Sequence, residues 1–93
     1  MQPLEGPSLT LSADESLVLF DLLSRLIDDE KAAALIGLVQ HDAEIWVLNS
    51  LHCQLERSVS ASFTAAYRSS VDTARSNLLA INGGQWPLRQ TKS

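Results

Sequence analysis

Residues 41–59 read HDAEIWVLNSLHCQLERSV and hold both histidines and the only cysteine of the chain. Two readings compete for this stretch: a metal or catalytic cluster, or an amphipathic helix. At about 100° per residue, Ile45, Val47, Leu48, Leu51, Leu55 and Val59 fall on one arc of a helix. His41 and His52 point the same way but lie about 16 Å apart along the axis, too far to share a metal. Cys53 follows His52 directly, yet their side chains diverge by about 100°, so no thiol–imidazole contact forms between them. His52 stands one turn before Glu56, a spacing that predicts a His–Glu hydrogen bond at the core boundary. Asp42 and Glu44 sit in the first turn, where carboxylates complement the helix dipole and cap the chain. The helix reading wins, and the fold class follows from it.

Working outward, the segments on either side repeat the pattern. Ser12 followed by Glu15 is a capping box, and Leu19, Leu22, Leu23 and Leu26 then recur at helical spacing with Phe20 and Ile27. Asp21 and Arg25 make an i,i+4 pair, placed away from that apolar face. DDEK at 28–31 closes this helix and opens a short one, with Asp28 or Asp29 as cap. The segment AAALIGLV reads as helix because of its alanines, with a buried strand as the alternative because of Gly37. Toward the C-terminus, SVSASF reads as a turn. Tyr67, Val71, Ala74, Leu78 and Ile81 then form one stripe, with Arg68, Asp72 and Arg75 on its polar flank and Gly83-Gly84 as terminator. The expected structure is one all-α domain spanning 1–93, a small antiparallel bundle of three longer helices and one short one. The helices are placed at 13–28, 30–39, 42–59 and 64–81, after an irregular lead-in (1–11) and before a loose tail (84–93). Leu48 and Leu51 are expected to carry the core of the third helix, with His52 and Cys53 contributing far less.

The chain is 45% hydrophobic and 19% charged, which suits a folded globule. Its net charge of −4 is unevenly spread. Residues 1–46 carry nine acidic and two basic side chains, whereas residues 47–93 carry two acidic and five basic. A net acidic domain repels phosphate backbones, so a basic protein partner is expected rather than nucleic acid. No apolar run is long enough for a membrane span, and the N-terminus lacks a signal-peptide pattern, so a cytoplasmic, membrane-free protein is expected. Phosphate-loop, CxxC, HExxH, GxSxG and EF-hand patterns are all missing, and neither metal nor cofactor is expected.

On the side of the 42–59 helix opposite the leucines lie Trp46, Cys53 and Arg57, beside Asn49 and Ser50. A tryptophan beside an arginine is the composition of an interface anchor, and burial of this helix on two sides is the competing reading. Across residues 8–80, the opening LTLSADESLVLF, the acidic-capped HDAEIW helix ending in LE, and the aromatic-led, Ala- and Arg-rich last helix resemble small all-helical bacterial proteins of unassigned activity. In style the chain is similar to immunity proteins of bacterial contact-dependent and polymorphic toxin systems. That resemblance implies a non-enzymatic protein that neutralises a toxin domain by direct binding; a helical adaptor or a self-associating homo-oligomer is the alternative. The expected contact charges are Asp28, Asp29, Glu30, Asp42 and Glu44, with Trp46 and Arg57 on the second face. All five carboxylates also suit plain helix capping.

Overall fold

The computed structural model describes residues 6–59 and 66–87, without the side chains of Asp29 and Glu30. The turn expected after Val59, the helix start expected at Thr64 and the tail beyond Pro87 lie outside these residues. Within them the protein is all α, as the hydrophobic periodicity predicts: α1 (Ala13–Leu23), α2 (Ala33–Ile36), α3 (Asp42–Val59) and α4 (Tyr67–Asn82). No strand occurs among the described residues, so the strand alternative for AAALIGLV falls away.

Local capping sets three helix ends: the starts of α1 and α3 and the end of α4. The Glu15 N–H donates to Ser12 Oγ at 3.0 Å and the Ser12 N–H donates to the Glu15 carboxylate at 2.8 Å, the reciprocal box expected at the start of α1. At the start of α3, the Ala43 N–H donates to His41 Nδ1 at 2.9 Å and the Gln40 N–H donates to the Glu44 carboxylate at 3.1 Å. His41 and Glu44 therefore satisfy backbone donors that the first turn leaves open. Gly83, at φ 89°, ends α4, and the Gly84 N–H returns to the Leu79 carbonyl at 2.8 Å.

Between α1 and α2 the outcome differs from expectation. The helical run reaches the expected Asp28, but its regular α form ends at Leu23; Ser24–Asp28 is a π turn, and a 3-10 turn over Asp29–Ala32 follows. Lys31 and Ala32 then take left-handed conformations, φ 56° and 66°, which non-glycine residues adopt at a cost. Ala32 occupies the N-cap of α2 without a side-chain cap, so neither Asp28 nor Asp29 caps it, and α2 is a single turn of four residues rather than a helix over 30–39.

α1 is the central element and packs along both α3 and α4. It runs antiparallel to each: Ala13–Leu17 lie beside Ser58 and Val59 while Ser24 meets His52, and Asp14 meets Asn77 while Asp21 meets Arg68. Phe20 and Leu23 of α1 join Leu55 and Val59 of α3 in the core, with Leu48, Leu51 and Tyr67 at its margin. Val71 and Ala74 bury the start of the α4 stripe.

Three expectations about packing are corrected. Val47 lies on the shoulder of the α3 arc and is 66% exposed, because only one side of α3 is covered. Ile81 is 76% exposed, because Asn77 already pairs with Asp14 in the first turn of α1 and the rest of α4 overhangs that end. His52 is 7% exposed and belongs to the interior, whereas Leu48 and Leu51 are only half-buried.

Leu23→Ala should accordingly cost about 2–5 kcal/mol, and Leu48→Ala or Leu51→Ala less. His52→Ala should rank with the core substitutions, and Val47→Ala should stay within about 0.5 kcal/mol. Urea unfolding of the five variants checks the order; a Leu48→Ala loss larger than that of Leu23→Ala would overturn the packing described.

Candidate functional site

The chemistry of this protein is concentrated at two buried polar groups and two exposed surfaces. The first buried group is Asp21, an aspartate inside the apolar run LVLFDLL and only 3% exposed. Its Oδ1 accepts from the Tyr67 hydroxyl at 3.0 Å and from Arg68 at 3.4 Å. Its Oδ2 accepts from Arg25 Nε and from Arg75, both at 3.1 Å. Arg68 also lies over the Tyr67 ring, and Arg75 extends to Asp72 at 3.5 Å. Burial pushes the Asp21 carboxyl up, but hydrogen bonds from Tyr67 and Arg25 and the charges of Arg68 and Arg25 outweigh it and hold its pKa below the ordinary aspartate value. Burial and the bond to Asp21 raise the Tyr67 phenol, which therefore stays a donor. Sequence periodicity finds the Asp21–Arg25 pair but sets it away from the apolar face. Instead α4 covers Asp21, and the signal that could have shown this is the lone charge within LVLFDLL.

The second buried group is His52. Its Nε2 lies 3.0 Å from Ser24 Oγ, and its ring stacks on Phe20 with centroids 5.3 Å apart. The expected bond to Glu56 is replaced by this one, because His52 faces α1 while Glu56 is exposed. A serine–imidazole pair is the beginning of a nucleophilic site, but this imidazole is enclosed against Phe20, and its geometry is that of a cross-brace between α1 and α3. Every buried side-chain nitrogen and oxygen among the described residues has a hydrogen-bond partner. No three His, Cys, Asp or Glu side chains among them converge on a common point.

The exposed surfaces hold the expected contact residues. Asp28, Asp42 and Glu44 are all exposed. Ser24 meets His52 and the helices are antiparallel, so Asp28 lies near the level of Leu48, about 6 Å along the axis from Glu44 and about 9 Å from Asp42, and the last two project from α3 in different directions. Asp29 and Glu30 follow Asp28 in sequence, but their side chains are outside the described set. Trp46 is 71% exposed, and Cys53 and Arg57 are exposed with it on the outward side of α3; this settles the competition over Trp46 against two-sided burial. Trp46 and Arg57 stand about 16 Å apart along that side. Next to it, the lead-in Pro7–Leu11 and the flanks of α1 and α3 border an open groove of about 920 Å³ that includes Leu9, Val47 and Leu51. Comparison with protein-family models, with curated proteins and with solved structures gives no match. No helix among the described residues is long and apolar enough to cross a membrane.

A lowered folded-state pKa means that Asp21 stabilises the fold above its unfolded pKa of about 3.9, and that this stabilisation is lost as pH falls through the folded value. Asp21→Asn should cost about 1–3 kcal/mol at pH 7, moderated because the three arginines are half-exposed and rehydrate. Urea unfolding across a pH series should show the gap between wild type and Asp21→Asn closing below about pH 4. A gap that persists unchanged to pH 2 would contradict the ionised hub.

Proposed function

We propose that this chain is a non-enzymatic protein-binding module, and that it neutralises a basic bacterial toxin domain by direct contact. The observation that carries this reading is the exposed Asp42 one turn before the exposed Trp46 on α3, with Asp28 and Glu44 adding exposed carboxylates on neighbouring sides. A cationic surface is steered toward such carboxylates, and a large aromatic side chain beside one of them supplies contact area once the charges have met. Toxins that act on nucleic acid are basic around their sites, so an acidic cover of this kind both attracts and occludes. The similarity in style to immunity proteins supports the choice of a toxin among basic partners, and a cytoplasmic location suits that role. The second reading, a self-associating helical protein, is favoured by a separate observation: Trp46, Val47, Ile36, Leu38 and Ile81 are large apolar side chains left in solvent.

The test is binding to the product of the neighbouring gene. Replacing Asp28 and Glu44 by lysine should slow association about tenfold or more at low ionic strength, with the difference shrinking at high salt. Thermal melting establishes that the variant is folded. Equal association rates at both salt concentrations would remove these carboxylates from the mechanism.

A further inference from the structure

The outward side of α3 has a property that a generic sticky surface lacks. Asp42, Trp46, Ser50, Cys53 and Arg57 are all exposed, and they advance by four, four, three and four residues, staying within an arc of about 80°. The row runs from an acidic end to a basic end, with one large aromatic in one half and small side chains elsewhere. It is also symmetric about the Asn49–Ser50 peptide: Asp42 and Arg57 lie seven and a half residues to either side of it, and Trp46 and Cys53 three and a half. A second α3 laid antiparallel over that midpoint brings Asp42 of each copy opposite Arg57 of the other, and each Trp46 opposite the small Cys53 of the other.

We propose that this face is a homodimer interface in which two copies pair through antiparallel α3 helices about a two-fold axis at Asn49–Ser50. Such an axis makes the contact isologous, so every favourable pair is made twice. The two Asp42–Arg57 pairs fix direction and register, because a parallel arrangement would place Asp42 on Asp42 and Arg57 on Arg57. Trp46 fills the space left by Cys53 and Ser50, as a knob enters a hole, and lies one turn, about 6 Å along the axis, from the opposing Arg57, within reach of a cation–π contact. Opposed helix dipoles add a smaller term of the same sign. Asp42 and Trp46 belong to both contacts, so dimer and toxin contact compete for them, whereas Glu44 on another side of α3 and Asp28 on the continuation of α1 lie outside the dimer row and let the two be tested apart. The contact is a single pair of helices, so the dimer forms and dissociates with concentration.

Sedimentation equilibrium from micromolar to millimolar protein tests the proposal, with circular dichroism establishing the fold of each variant. Wild type should pass from monomer to dimer over this range. Trp46→Ala should weaken the dimer at least tenfold. Asp42→Arg and Arg57→Asp should each do the same, while the double variant should recover most of the wild-type association, although it reverses the charge at both ends of α3. The register is tested by oxidation. Ser50→Cys in a Cys53→Ala background should form a cross-linked dimer, whereas Cys53 of the wild type, with its two copies about 10 Å apart along the axis, should not. A monomer throughout the range, a dimer indifferent to Trp46→Ala, a double variant no better than the singles, or a Cys53 that cross-links as readily as a cysteine at 50 would each overturn the proposal.

Discussion

The arrangement depends on one buried carboxylate. Asp21 sits in the apolar run of α1, where an ionised group is tolerated only if its oxygens are satisfied, and α4 supplies Tyr67, Arg68 and Arg75 for that purpose while Arg25 completes the set from α1 itself. The consequence is positional. Apolar stripes on two helices allow several registers of nearly equal energy, but only one register places all three α4 donors on the same carboxylate. The pair Asp14–Asn77, further along the two helices, agrees with that register.

On its other side α1 is braced to α3 by a second polar contact, between Ser24 and His52, set into a core of Phe20, Leu23, Leu55 and Val59. Ser24 opens the π turn that carries α1 toward α2, so the hydrogen bond across to α3 and the departure from regular α-helix coincide. Both flanking helices thus take their position from α1, each through a polar contact embedded in apolar packing. This explains why a chain of 93 residues builds its interior around its first helix and leaves much of α3 and the end of α4 uncovered.

That incompleteness bears on function. The Asp21 arginines line the α1–α4 side, and the outward row of α3 runs from the exposed Asp42 to the exposed Arg57. None of these exposed groups engages the buried imidazole or the buried carboxylate except the arginines of the Asp21 hub.

The sequence by itself determined the all-α class, the α3 boundaries at 42 and 59, the Ser12–Glu15 box, and the Gly83 terminator, because periodicity and capping are local and are written within a few residues of one another. It also separated the outward Trp46 side of α3 from the leucine side. Only the tertiary structure decided where the polar residues of the interior go. The Asp21 hub joins residues 46, 47 and 54 positions apart, and the His52 bond spans 28. A pairing at such separations depends on which helices pack and in what register, and no local pattern encodes that. For the same reason, Glu56 is the natural partner of His52 on a wheel, Val47 reads as core and Ile81 reads as buried. A wheel gives the direction of each side chain, but whether anything stands there to cover it is settled by the neighbouring helix.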